Sequence, residues 1–354
     1  MHLLNFPIVD PHLHQWDPLN TPHAAAFLVK VFGRSPVLMD KVVRLLQPRA
    51  LMESLGLTDY GLSPYLPADF IKDCGPYAIE SVVHIEASWH EHKGYGVVNE
   101  TKWVNQLPFA EQGIKLGAIV GTADPRDKQF ADILAAHQIS SPLFSGIRKM
   151  ASYHDDKGVH RWSDQPGLYA DKKFLAGFEH LAKTKLTFDA WAYSTQLAEV
   201  SVLAKAFPET PIVIDHLATP AGIFGAVGEG TGRTESERMD IFARWKDDIS
   251  HLAEYPNVHA KISGLMMPVL GHSFHKTRQL ATVEDMVNLL SPLVNHAMKV
   301  FGHKRILYAS NFPMDKVSAQ LTDIIEAYIK MIQPYGNIAL EAVFRNNAKQ
   351  FYRI

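Results

Sequence analysis

Phe6-Pro7-Ile8-Val9-Asp10-Pro11-His12-Leu13-His14 is the stretch on which the fold turns. Its apolar, β-branched start suits a buried strand, and residues two apart on a strand share a face, so Asp10, His12 and His14 are expected to point one way at its carboxyl end. Working outward, comparable short runs recur at 81–87, 116–121, 144–149, 186–191, 211–216, 258–263 and 305–310. Val, Ile and aromatic residues dominate them, as strands buried on both faces require. Helical stretches lie between. Those at 127–137 and 171–185 open with acidic residues, Phe174, Phe178 and Leu181 form an apolar stripe, and Thr282 with Asp285 reads as an N-terminal cap for a helix ending near Gly302. Strand and helix alternating in this way predict an α/β fold, a single (β/α)8 TIM barrel spanning 1–354. A doubly wound open sheet has less support, because no glycine-rich turn follows the first strand.

The gap from His14 to Ser81 greatly exceeds a βα unit of ~30 residues, which places an insertion at roughly 16–78, expected to pack over the catalytic mouth. A long loop follows His216, with Gly222, Gly225, Gly228, Gly230 and Gly232 suggesting a mobile lid. The 354 residues carry 35 Lys and Arg against 37 Asp and Glu, so no basic excess points to nucleic acid. With Cys74 the only cysteine, a disulfide framework and a cysteine zinc finger are excluded. No apolar run is long enough for a membrane span and the start lacks a leader pattern, so the expected setting is cytoplasmic. The expected partner is a small-molecule substrate, with no nucleic acid and no membrane, and a homo-oligomer is allowed.

Ionisable residues at the ends of apolar strands are costly unless paired or functional. His12 and His14 close the first strand. A His-x-His pair is common by chance, but here it follows a buried run. Ile212-Val213-Ile214-Asp215-His216 ends the sixth strand on a histidine, with a simple turn at Asp215 as the bland reading. Glu86 and Trp89 follow the second strand. Arg148 in Gly146-Ile147-Arg148-Lys149 is a carboxylate clamp or half of an internal ion pair. Asp189 and Trp191 lie on the fifth strand and Lys261 on the seventh. Arg148 and Lys261 together predict a positive bias and a carboxylate-bearing substrate.

In this order the motifs resemble the amidohydrolase superfamily, in its branch of barrel lactonases. Val9-Asp10-Pro11-His12-Leu13-His14-Gln15-Trp16 matches its opening, and Gly146-Ile147-Arg148, Phe188-Asp189, Asp215-His216, Lys261-Ile262-Ser263-Gly264-Leu265 and Ser310-Asn311-Phe312-Pro313 match later strands. The resemblance spans nearly the whole chain. It implies metal or substrate ligands at His12, His14 and His216, a substrate contact at Arg148, and either no required cofactor or one divalent metal such as zinc. It also exposes a departure, since the last strand usually ends in an aspartate that activates water and here carries Asn311. An amide has no useful basicity near neutrality, so the proton must go elsewhere, to Asp315, His216 or Glu86. The bland reading of Asp315 is a cap on the next helix. The expected activity is a lactonase-like hydrolase. The alternatives are a decarboxylase or metal-dependent C–N hydrolase of the superfamily, and a barrel that has lost its chemistry.

Overall fold

Each β-rich run pairs with the next in sequence because only neighbouring parallel strands bury both apolar faces under the connecting helices. The computed structural model describes residues 4–22, 26–32, 35–56, 63–87, 89–277 and 279–354. Its strands are β1 (Ile8–Leu13), β2 (Ile79–Ile85), β3 (Lys115–Thr122), β4 (Phe144–Met150), β5 (Thr187–Trp191), β6 (Ile212–Ile214), β7 (Val258–Ile262) and β8 (Ile306–Tyr308). They form one parallel sheet in the order β1 to β8. A parallel bridge from Leu13 to Phe312, just past β8, closes the ring. The fold is a (β/α)8 barrel.

The helices begin where the sequence provides caps. Asp171 accepts hydrogen bonds from the Lys173 and Phe174 amides, and the Phe174 and Phe178 rings of helix Lys172–Ala182 meet Phe188 of β5. Thr282 and Asp285 cap helix Val283–Phe301 reciprocally, and the helix stops at Gly302. The helix expected from Asp127 starts later, at Phe130, because the Asp127 carboxylate is used in a turn to the Gln129 amide.

Val9, Val83, Ile85, Ala118, Val120, Val213 and Leu307 form one buried cluster. β3 and β6 are not neighbours, so these side chains meet across the lumen. Ala348, Phe351 and Tyr352 of helix Asn347–Tyr352 complete the cluster. The Ser145 hydroxyl, at the start of β4, donates to the Tyr352 carbonyl, so this last helix plugs the amino-terminal end of the barrel.

The carboxyl-terminal end is roofed by loops. Trp16 and Tyr65 pair across the base of the insertion. Helices Ala26–Phe32, Pro36–Leu46 and Arg49–Leu55 bury Val29, Met39, Val43 and Met52 among themselves, and the last of the three packs on the turn Pro268–Leu270 beyond β7. The loop after β6 is pinned. Asp156, in the loop after β4, accepts from the amides of Gly158, Glu229, Gly230 and Thr231 and from the Thr231 hydroxyl, at 2.8–3.1 Å. Gly225 and Gly271 bring two backbones so close that a Cβ on either would collide with the other's carbonyl, so glycine here serves close approach. Among the described residues no helix is long and apolar enough to cross a membrane.

Candidate active site

β1 delivers its histidines through an irregularity. Asp10 pairs with Val82 but Leu13 with His84, so β1 carries an extra residue between them. The bulge breaks the alternation. Val9 lies in the lumen cluster and His12 also turns inward, while the Asp10 carboxylate accepts from the His12 and Ser310 amides at 3.2 and 3.0 Å. The expectation that Asp10 shares the face of His12 is thereby corrected. Asp10 ties β1 to the end of β8.

His12, His14 and His216 converge, with ring centroids 4.9 Å apart for His12 and His14 and 4.6 Å for His12 and His216. The backbone makes this possible at β6, where His216 has φ +57° and the next three residues are also left-handed. A Cβ on Gly264 would lie against the His216 ring, so glycine at φ +62° leaves room for it. Burial, the largest cause in each case, drives the His12 and His216 pKa values well below the ordinary value and that of His14 down to about 3; Lys261 adds to the shift at His12. All three are neutral at physiological pH. Tautomers follow from their partners. Nδ1 of His14 donates to the Ile85 carbonyl at 2.9 Å, which leaves Nε2 with a lone pair. Nε2 of His12 lies 3.4 Å from Nη1 of Arg148, and its Nδ1 lies 3.1 Å from the Lys261 ammonium and 3.2 Å from Asp215, so both ring nitrogens face groups that only donate. His216 bonds through Nδ1 to the Ser263 hydroxyl at 2.8 Å.

A buried ion network surrounds the rings. Arg148 donates through Nε to the Glu86 carboxylate and through Nη2 to the Glu86 carbonyl, both at 2.8 Å. Its Nη1 lies 3.9 Å from Asp215. Lys261 donates to Asp189 and lies 3.1 Å from Asp215. Asp189 also accepts from the Tyr352 hydroxyl at 2.7 Å. Burial lifts the Asp189 pKa above the ordinary carboxylate value against the pull of Lys261. The positive bias expected from Arg148 and Lys261 is therefore not what the site holds, because carboxylates meet both cations. Arg148 pairs with Glu86 and faces Asp215, and Asp189 pairs with Lys261.

Trp191 edges onto His216 at 5.8 Å, and the Arg148 guanidinium lies over its ring. Trp89 packs instead against Trp103. Asn311 donates to Asp315 at 3.1 Å, and the Met266 amide reaches the other carboxylate oxygen at 3.4 Å. Asp315 caps no helix: it lies inside the short 3-10 turn Met314–Val317, which has no side-chain cap, and the next α-helix begins at Leu321 after Gln320. Burial pushes its pKa to about 7, against the lowering effect of the Asn311 bond. Sequence reasoning read Asp215 only as a turn residue and did not single out Tyr352. Asp215 shares the strand parity of inward-facing Val213, a signal that could have found it. Nothing local marks Tyr352, which reaches Asp189 from 163 positions away.

His12, Asp215 and His216 form a group whose ligand atoms lie within 4.8 Å of one another, the kind of cluster that can hold a metal ion. His14, expected among the ligands, is not part of it. The immediate surroundings of the group do not suit a divalent ion, however. Lys261 Nζ is 3.1 Å from His12 Nδ1 and 3.1 Å from Asp215, and Arg148 covers the other His12 nitrogen.

The family profile described as Amidohydrolase matches residues 92–354. The chain belongs to the amidohydrolase family. Among this amidohydrolase's relatives, protein y4mH of Sinorhizobium fredii is 29% identical over 347 residues, 98% of each chain. The L-fucono-1,5-lactonase of Burkholderia ambifaria is 29% identical over 254 residues, 70% of this chain and 74% of that one. The crystal structure of an amidohydrolase from Burkholderia multivorans with bound zinc shares the fold at a TM-score of 0.69 and 19% identity, covering 99% of this chain and 100% of that one.

Proposed function

We propose that this amidohydrolase hydrolyses a neutral, hydroxyl-rich lactone. The observation that carries the reading is a cluster of three buried, neutral imidazoles of which one, His12, meets Nη1 of Arg148. Among the described residues this nitrogen has no acceptor closer than His12 Nε2 at 3.4 Å. It is the guanidinium nitrogen left to meet a carbonyl oxygen as charge develops on it. Water adds to the lactone carbonyl carbon, the ring C–O bond breaks, and a hydroxy acid leaves. The lone pair on Nε2 of His14 accepts from a substrate hydroxyl. We assign the water's proton to Asp315, which Asn311 at the end of β8 meets at 3.1 Å. A carboxyl group held near 7 is matched to that task, whereas His14 near 3 is too weak a base. The pairing of both cations favours an uncharged substrate over a carboxylate-bearing one, and the kinship with the L-fucono-1,5-lactonase supports a sugar lactone.

The test is a panel of neutral sugar lactones and carboxylated lactones, read by proton release, with CO2 release measured in parallel on aromatic acids. Turnover of neutral lactones with a new carboxyl group in the product is the expected result. Turnover confined to carboxylated lactones would overturn the substrate class, and CO2 release without proton-yielding hydrolysis would overturn the reaction.

A further inference from the structure

We propose that the Lys261 ammonium is this site's resident cation, standing where a divalent ion would bridge His12 and Asp215. His12 Nδ1 and Asp215 Oδ1 lie 3.2 Å apart, and Lys261 Nζ is 3.1 Å from each, at the third corner of a near-equilateral triangle. An ion bonded to both atoms at a usual distance of about 2.1 Å on that side would stand about 1.3 Å from the ammonium nitrogen, too close for the two to be present together. The lysine is fully buried and cannot swing into solvent, being held by Asp189 on one side and by the face of Tyr352 on the other. Asp215, the carboxylate of the candidate donor group, already faces both Lys261 and Arg148. The group therefore has the donors for a metal and a fixed charge in its place. Lys261 acts as a positioning residue: it balances Asp189 and Asp215 and fixes the His12 ring through Nδ1, so that Nε2 stays turned to Arg148. This role rests on the proposed hydrolysis only for its link to turnover. The occupancy of the site is a separate matter.

Removing the ammonium should convert the site. Lys261→Met keeps much of the side-chain volume, leaves Asp189 and Asp215 without their shared cation, and frees one side of His12. Wild-type protein, Lys261→Met and Lys261→Arg would each be incubated with zinc, desalted, and assayed for bound metal by elemental analysis, with no substrate present. The expected result is wild type and Lys261→Arg emptied of zinc, and Lys261→Met retaining about one zinc per chain, lost again when His216→Ala is added. Wild-type protein that retains zinc through His216 overturns the proposal, and that arm decides the matter even if Lys261→Met does not fold. A folded Lys261→Met that retains no zinc overturns it as well. Because the readout is metal content, loss of the lactonase reading would leave this result standing, and the reverse also holds.

Discussion

Asp315 joins the proposed chemistry to a stability effect that can be measured without a substrate. Its folded pKa near 7 lies above the ordinary 3.8, so the native state holds a proton that the unfolded chain has released at intermediate pH. The sign follows: the stabilisation is complete below about pH 4 and is lost as pH rises through 7. Asp315→Asn should therefore leave stability unchanged near pH 4 and raise it by on the order of a few kcal/mol near pH 8, read as the urea midpoint. The same variant should abolish the rise in kcat/KM that the parent shows through about pH 7. A parental profile flat across that range would assign the proton to another group. Arg148→Met should be costly in both respects. It strips a buried pair of one partner, with an expected loss of about 3–5 kcal/mol, and it removes the proposed oxyanion donor. A variant as stable as the parent would show that the pair with Glu86 has no net worth. The three histidines were legible in the sequence because each ends an apolar run, where an imidazole has no cheap reason to be. The neutralisation of Arg148 and Lys261 was not, because the charge of a site depends on which acids share its interior, and parity along one strand does not settle that.

At the scale of elements, all eight strands were legible to within two residues at each end, since an apolar run between helices has few alternatives, although β6 and β8 are three residues long where six were expected. The β1 bulge was not, because a single extra residue leaves the composition of the strand intact while reversing the faces on one side of it. The loop after β6 shows a similar gap. Its glycines suggested mobility, yet the backbone there is anchored on Asp156, and the anchoring residue lies in the loop of a different strand. Several amides and a hydroxyl converge on this carboxylate and hold its pKa low against the effect of burial. Asp156→Ala should speed amide hydrogen exchange in residues 226–232 by about tenfold or more, equivalent to ~1.4 kcal/mol, with little change in the barrel strands. Unchanged exchange would mean that the packing of Gly225 on Gly271 suffices to hold the loop.

Over the whole molecule, the two ends of the barrel divide the work. The carboxyl-terminal end carries the candidate site under a cover drawn from the insertion and the loops after β4, β6 and β7. The amino-terminal end is stopped by helix Asn347–Tyr352, whose Tyr352 hydroxyl reaches up to Asp189. Tyr352→Phe should cost about 1–3 kcal/mol, as the loss of a donor to a charged group does, and should disturb Lys261 through Asp189. A neutral outcome would detach the plug from the site. The position of this helix bears on synthesis as well. Residues 347–352 leave the ribosome after all eight strands, so a nascent barrel carries its inward-facing Asp189, Asp215 and Lys261 around a bore that water can still enter from below. Only when the final helix seats is that water expelled and the charge network sealed. A nascent chain arrested shortly before Asn347 should therefore have its strands available but its core wet, exposed to proteases in a way that the finished protein is not.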